Sequence, residues 1–232
     1  SYPGLGDKAL WLDSITRTGY SVDGSQISLP PVKFGGVLMP NRVAGYNAMP
    51  SMLMWRLNHI TDELGGNLLV TYSANDCSQY DVPDPNNLES NPRRCFPVKW
   101  VLPAQSQPTL DFFHTYVVTS IWVGDPQQLS PDKLTTYTYL GNPAWRYDDS
   151  ELKPENLRTY GQFRGYGAVE VRTGNPQWAS GNGYDQLTLT RTHYLRGMDG
   201  DRLPSGGTRD VTVQADGRTI RDAAPLAGRA YL

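Results

Sequence analysis

The chain has 232 residues, and aromatic residues make up 11% of them, with 14 tyrosines and 6 tryptophans. Disordered chains are poor in aromatic residues, so this composition excludes a disordered protein and predicts an ordered one that is long enough to bury a core. The formal net charge is -2 and no run of lysine or arginine occurs, which excludes the basic surface that nucleic-acid binding requires.

No part of the sequence predicts a membrane span. The longest apolar runs, such as residues 37–39, are far shorter than a helix that crosses a bilayer. Residues 1–4 also lack the basic and apolar regions of a signal peptide. We therefore expect either a cytosolic protein or a fragment of a longer secreted chain that does not include the export signal.

The first half of the chain predicts a series of short strands. Apolar and β-branched residues form runs at residues 10–16, 26–29, 32–39, 53–60 and 67–72. Gly65 and Gly66 separate the last two runs, and two β-type runs on either side of a glycine-containing gap are typical of a hairpin.

The second half continues in the same way. Residues 112–123 form the longest β-branched and aromatic run, and residues 134–140, 168–172 and 210–213 alternate as half-buried strands do. Helical signal is confined to one or two turns within residues 149–158. The sequence therefore predicts an all-β fold of successive antiparallel hairpins with very little helix.

Composition is even from end to end and predicts a single β-rich segment over residues 1–232. Long loops are expected at residues 74–91, 103–108 and 175–183, where polar residues, glycine and proline are concentrated.

The two cysteines, Cys77 and Cys95, flank a polar segment rich in Asp, Asn and Pro. A disulfide there would close a loop and stabilise the fold by roughly 3 kcal/mol, and it would imply an oxidising compartment. The alternative is a pair of free thiols in a cytosolic protein. A zinc site is not expected, because the few histidines lie far from these cysteines in sequence.

A weak internal repeat runs through the first half of the chain. An aliphatic residue, a second one three positions later and then a turn glycine recur at residues 12–19, 57–65 and 118–124. This frame describes a hairpin that buries one face only by packing on its neighbours. The alternative is chance recurrence in a β protein, since the spacings between the copies are uneven.

The middle copy resembles the YD repeat of RHS proteins and teneurins. The residues that carry this resemblance are Leu57, Ile60, Asp62, Gly65 and Tyr72. Further stretches are similar to the region just before the tandem YD repeats in large secreted RHS-repeat proteins of actinomycete bacteria. These stretches are residues 94–98, 112–119, 144–149 and 194–202.

The resemblance implies a structural role. RHS proteins wind β-hairpins into a hollow shell, which encloses a toxic segment in insecticidal toxin complexes (their B components) and in polymorphic toxins; the related teneurin shell serves cell-surface adhesion. We therefore expect a secreted or cell-surface shell segment. Its partners would be the rest of the shell, in the same or a separate chain, and an enclosed toxin segment. The tandem repeats, the self-cleaving protease motif and a toxin segment are absent from this sequence, so toxicity and autoproteolysis do not carry over.

No residue pattern predicts catalysis, a metal or a cofactor. His59, His114 and His193 lie in strand-like runs without a nucleophile motif. The acidic residues at 148–151 favour a turn that caps a short helix at Ser150, with a calcium site or a glycosidase carboxylate pair as the alternatives. Asp199 and Asp201 favour a glycine turn over a calcium loop. We expect no enzymatic activity.

The aromatic residues between positions 145 and 166 allow a second functional hypothesis. Trp145, Tyr147 and Tyr166 could form a face that binds glycans or cell-envelope polymers, since aromatic rings offer flat amphipathic surfaces. The simpler interpretation is that these rings form cross-strand pairs in the core.

Overall fold

A computed structural model describes residues 10–127, 132–174 and 187–232. Its strands are β1 Ser14–Ile15, β2 Thr18–Tyr20, β3 Gln26–Ser28, β4 Val32–Pro40, β5 Leu53–Thr61, β6 Asn67–Tyr72, β7 Cys95–Val101, β8 Pro108–His114, β9 Val118–Gly124, β10 Lys133–Leu140, β11 Trp145–Arg146, β12 Gln162–Phe163, β13 Ala168–Thr173, β14 Thr188–His193, β15 Thr212–Ala215 and β16 Arg218–Arg221. Short 3-10 turns lie at Tyr46–Ala48, Leu88–Ser90, Glu155–Leu157 and Ala224–Leu226. The predicted all-β fold with very little helix is confirmed.

Eight of the strands form one antiparallel sheet, called the main sheet here. Its order is β1-β4-β5-β6-β9-β10-β13-β14, so the strands of this sheet lie side by side in the order in which they occur along the chain. Residues 73–117 leave the sheet between β6 and β9, and residues 141–167 leave it between β10 and β13. Among the described residues, the main sheet is therefore a series of hairpins that is interrupted by these two long insertions and by the separate β2-β3 hairpin between β1 and β4.

The first insertion forms a compact unit, the disulfide lobe, which consists of residues 73–117 with Arg42 and Val43 packed into it. Its centre is the hairpin of β7 and β8, which pairs from Cys95 and His114 to Val101 and Pro108. The hydrophobic core of this lobe gathers four buried residues, Val43, Cys77, Cys95 and Phe112.

Burial differs sharply between the main sheet and the rest of the protein. Within the described ranges, Ala168 is the only buried apolar residue that lies on the main sheet. The other buried apolar residues belong to the disulfide lobe, to residues 141–167 or to the C-terminal part. Because most main-sheet side chains are only half-buried, the main sheet does not form the centre of a two-layered core.

Several predicted boundaries were wrong. Residues 112–123 form two strands in different sheets, because the chain crosses between them and Thr115 N–H bonds to the carbonyl of Arg94 rather than within one sheet. Only Ser14–Ile15 of residues 10–16 pairs as a strand of the main sheet, and the strand predicted at 210–213 lies at Thr212–Ala215. The loop predicted at 175–183 lies outside the described residues.

Among the residues that the structure describes, no helix combines the length and the hydrophobicity needed to cross a lipid bilayer.

Candidate functional site

Asp62 and Gly65 of the YD-like frame lie in the turn between β5 and β6, whereas Leu57, Ile60 and Tyr72 lie on the two strands. Asp62 fixes this turn, because its Oδ1 accepts hydrogen bonds from the N–H groups of Leu64 at 2.9 Å and Gly66 at 2.7 Å. Gly65 has φ +88, a left-handed conformation that glycine adopts without steric cost. The aspartate and the glycine therefore have a physical reason to occupy these positions, since side-chain capping and positive φ are what a tight turn needs.

The tyrosine of the same frame closes the hairpin at its other end. The hydroxyl of Tyr72 donates a hydrogen bond of 2.7 Å to the carbonyl of Leu57, the first aliphatic residue of the frame. The next hairpin, β9 and β10, repeats this bond, because the hydroxyl of Tyr139 donates to the carbonyl of Val118 at 2.8 Å. Val118 is also the first aliphatic residue of its frame, so the two copies share this bond, although Gly124 lies on β9 whereas Gly65 lies in a turn.

The first copy of the repeat does not form such a hairpin. Ile15 lies on β1, at the edge of the main sheet, whereas Gly19 lies on β2, in a separate two-stranded sheet with β3. The hairpin predicted for residues 12–19 was therefore wrong. Its spacing matched the frame, but the residues that follow Gly19 pair locally and do not return to the main sheet.

Both faces of the main sheet carry apolar side chains, and one of them also carries charged ones. Val70 lies opposite Ile121, and Tyr137 lies opposite Val171, and the register places all four on one face. These side chains are only half-buried. The opposite face holds Leu69, Trp122 and Leu134. Glu170 lies on that face as well, and it forms ion pairs with arginines on β13 and β14. The sheet therefore has an apolar face that the described residues leave partly open.

The strand β14 forms the last edge of the main sheet. Its end is covered, because His193 N–H bonds to the carbonyl of Leu232 and its carbonyl accepts from Tyr231 N–H. Thr188 to Thr192 pair with β13 on one side, and among the described residues no strand pairs with them on the other side. Leu189 in this stretch is 55% exposed. Such an edge is a template for pairing with another strand.

The predicted disulfide between Cys77 and Cys95 is present, with the two Cα atoms 6.3 Å apart. This separation lies within the usual range for disulfides. Both cysteines are buried against Val43 and Phe112, so the bridge lies in the core of the disulfide lobe and not in a loosely packed loop.

A continuous column of aromatic rings connects the disulfide lobe with the main sheet. From β7 to β10, its members are Trp100, Phe113, Phe96, Trp145, Phe163, Tyr166 and Tyr139. Neighbouring ring centroids lie between 5.0 and 6.4 Å apart, the range in which aromatic pairs stabilise a fold beyond the area that they bury.

Two of the three candidate ligand-binding rings, Trp145 and Tyr166, belong to this aromatic column. Trp145 is 2% exposed and Tyr166 is 9% exposed, so neither ring is open to a sugar at the surface. Tyr147 is half-buried and packs against the ring of Tyr160, with the guanidinium of Arg202 at 5.1 Å. The expectation of one exposed face formed by all three rings therefore has to be corrected, because two of them pack in the protein interior.

The four further stretches that carry the family resemblance lie together in space. Residues 94–98 and 112–119 share the hairpin of β7 and β8. Trp145 donates from Nε1 to the carbonyl of Arg93 at 2.8 Å, and the adjacent Arg146 donates to the carbonyl of Gly197 at 2.9 Å. Residues that are far apart in sequence thus form one packed junction beside the main sheet.

Three buried charged groups, Arg42, Asp111 and Asp222, could not be predicted from the sequence. Arg42 and Asp111 form a fully buried ion pair of 2.5 Å, and Trp100 Nε1 donates to the same carboxylate at 2.9 Å. The carboxylate of Asp222 accepts backbone N–H bonds from residues 196–198. No sequence signal marked these groups, because each depends on a partner that is distant in the chain.

The histidines and acidic residues considered for catalysis occupy structural positions. His114 is buried and its Nδ1 has no hydrogen-bond partner in the part of the chain that the structure describes, whereas His59 Nε2 lies 3.0 Å from Asn67 Oδ1. Burial acts to raise the pKa of Asp148, but hydrogen bonds from Lys153 and from the backbone of Ser150 outweigh it and hold the pKa below its ordinary value. Asp148 is therefore the ionised acceptor of the Ser150 N–H bond, and the predicted helix cap at Ser150 was wrong, because the nearest 3-10 turn begins at Glu155 after Pro154.

The short acidic turn at residues 199–201 is also structural. Gly200 has φ +75, and Asp201 accepts a hydrogen bond of 3.0 Å from the N–H of Tyr147 while it pairs with Arg209 at 3.2 Å. Within the described ranges, no group of three or more His, Cys, Asp or Glu residues is arranged to hold a metal ion.

Comparison of this chain with protein-family models, with curated proteins and with solved structures finds no match.

Proposed function

We propose that this chain is a structural segment of an RHS/YD-type β-shell in a secreted protein, as part of a toxin-encapsulating or cell-surface assembly. The observation that carries this proposal is the main sheet, which adds hairpins in chain order and leaves side chains on both faces half-buried. A sheet that grows by repetition of one hairpin unit gains its core from neighbouring units and from what it encloses.

The repeated tyrosine bond supports the proposal independently. The YD-like frame is not only a spacing of residues, since Asp62, Gly65 and Tyr72 each have a defined role in the turn or at its base. The same tyrosine-to-carbonyl bond recurs in the next hairpin. A residue frame that serves one structural purpose twice is what a shell of repeated hairpins requires.

The proposed partner is the rest of the shell, which adds its next strand to the open edge of β14, from the same or a separate chain. The proposed interior is the apolar face of Val70, Ile121, Tyr137 and Val171, which would contact an enclosed polypeptide. The disulfide is compatible with the proposed secretion, since such bonds persist in oxidising compartments.

The mass of the 232-residue chain in solution, measured by light scattering after gel filtration, tests the proposal. We expect self-association through β14, and we expect Leu189→Lys to reduce it because a charge on an edge strand opposes pairing. Leu152→Lys is the matched control, since Leu152 is 97% exposed and lies outside the sheets, and it should leave the association unchanged. A stable monomer with slow amide exchange along β14 would contradict the proposal.

The alternative function, a glycan or cell-envelope binding module on Trp145, Tyr147 and Tyr166, has less support because two of these rings are buried. A catalytic function has less support than a structural one, because the carboxylate of Asp148 already serves as a turn cap.

A further inference from the structure

A groove lies where three distant parts of the chain meet, outside the main sheet. Residues 85–89 of the disulfide lobe, residues 147–160 of the second insertion and Pro204 form its walls, and its volume is about 270 Å³. The shell proposal makes no use of this groove. Concave sites between chain segments with a few converging polar groups are typical of ligand-binding sites.

One wall of the groove is aromatic and held in place. The rings of Tyr147 and Tyr160 pack edge to face with centroids 5.3 Å apart. The hydroxyl of Tyr160 donates a 2.8 Å hydrogen bond to the carbonyl of Arg202. Burial, together with the charges of Asp201 and Glu89, raises the pKa of Tyr160 to about 12, so this hydroxyl stays protonated and keeps its bond.

The polar groups of the groove have unused hydrogen-bonding capacity. The side-chain ammonium of Lys99 has no hydrogen-bond or ion-pair partner among the described residues, and the guanidinium of Arg158 donates only from Nε, to the carbonyl of Lys153 at 2.8 Å. Thr159 is 3% exposed and its hydroxyl has no partner among the described residues. Since buried polar groups are nearly always hydrogen-bonded, the unpaired hydroxyl indicates a missing partner.

The charged side chains that line the groove indicate which class of ligand it binds. The lining carries two positive side chains, Lys99 and Arg158, and two negative ones, Glu89 and Glu155. Glu155 also pairs with Arg202 at 3.9 Å, and the lining itself has no net charge that would favour an anion. Both donors and acceptors are present, which matches a ligand whose hydroxyl groups can donate and accept. The volume is below the roughly 300 Å³ at which pockets for drug-sized molecules begin, so the groove suits one small ring. We propose that it binds a single neutral pyranose unit of a glycan against Tyr147.

Titration by saturation-transfer-difference NMR with methyl β-glucopyranoside, methyl β-galactopyranoside and the methyl glycoside of N-acetylglucosamine tests this proposal. We expect one of them to bind with a Kd of about 1 mM, the weak range of a single-ring contact. Tyr147→Ala and Lys99→Met should each weaken binding about tenfold or more. Tyr20→Ala, which removes an exposed tyrosine on β2 far from the groove, is the matched control and should leave binding unchanged.

Three results would overturn the proposal: no transfer from any of these sugars at concentrations on the order of 10 mM, binding that both groove variants leave intact, or tighter binding of inorganic phosphate. If circular dichroism shows that Tyr147→Ala is unfolded, Lys99→Met decides the question, because Lys99 has no described partner whose loss would destabilise the fold. The groove test measures ligand binding and the shell test measures association, so each proposal can fail alone.

Discussion

The disulfide lobe and the main sheet hold their strands together in different ways. The lobe closes around Val43 and Phe112, both 0% exposed, with a disulfide and a buried ion pair beside them. In the main sheet, residues such as Val70 and Ile121 are only half-buried, and hydrogen bonds between strands hold the sheet together. The lobe therefore contains its own core, whereas the stability of the main sheet depends on what covers its faces and edges.

The buried ion pair gives the largest expected effect. Asp111→Ala leaves the guanidinium of Arg42 buried without its carboxylate, and we expect the free energy of unfolding to fall by about 3–5 kcal/mol. Urea unfolding followed by tryptophan fluorescence measures this change. Arg191→Ala removes a half-exposed arginine from its pair with Glu170 on the main sheet, and it should cost much less, because solvent screens this arginine and Glu170 keeps its second partner, Arg172. Equal losses for the two variants would erase the distinction between the regions.

Loss of the disulfide should have the next largest effect. The double variant Cys77→Ala, Cys95→Ala is expected to lower the free energy of unfolding by roughly 3 kcal/mol, since the bridge limits the conformations of the unfolded chain. Unfolding of the native protein with and without a reductant measures the same quantity. If the reductant makes the thiols reactive but leaves the free energy of unfolding unchanged, this expectation is contradicted.

A pair of matched valines compares the two regions most directly. Val43 in the lobe is fully buried, whereas Val123 on the main sheet is 43% exposed. Val43→Ala should cost about 2 kcal/mol through lost burial and a residual cavity, whereas Val123→Ala should change stability by less than about 0.5 kcal/mol. If Val123→Ala becomes as costly when the chain self-associates, the apolar face of the sheet is covered in that assembly.

The smallest expected effect is a pH dependence at the junction of the two regions. Burial lowers the pKa of His114 below its ordinary 6.5; the nearby charge of Asp76 opposes this shift, and that of Arg56 adds to it. The unfolded chain therefore binds this proton more readily than the folded one. The contribution of neutral His114 to the free energy of unfolding is therefore complete above pH 6.5 and declines as the pH falls below that value.

His114→Gln should flatten the dependence of the melting temperature on pH between 7.5 and 5, because glutamine does not titrate. His59→Gln is the control, since His59 lies on the main sheet with Asn67 as a hydrogen-bond partner, and this variant should keep the slope. An unchanged slope in His114→Gln would show that other groups control the pH dependence.

Local pattern was enough to predict much of the main sheet. The alternation at residues 134–140 and 168–172 matches β10 and β13, because a half-buried strand exposes every second side chain. The hairpin around Gly65 followed from a glycine gap between two β-type runs. The same reasoning failed at residues 112–123, where a continuous β-type run contains a crossing between two sheets. Strand propensity does not record which sheet a residue joins.

The candidate sites show the same division. The cysteine pair could be predicted because only two cysteines exist, but its place in the core could not. The three aromatic candidates were chosen by their residue type, and burial then separated Trp145 and Tyr166 from Tyr147. Exposure depends on neighbours that arrive from distant parts of the chain, so residue type alone did not predict it.

Side-chain periodicity and backbone preferences within a few residues were enough to specify the β class, the succession of hairpins and the glycine turn between β5 and β6. Three features could be seen only in the tertiary structure. The core lies beside the main sheet, Arg42 pairs with Asp111, and three segments enclose a groove at Tyr147. Those features depend on contacts between residues many positions apart, which local physical chemistry allows but does not select.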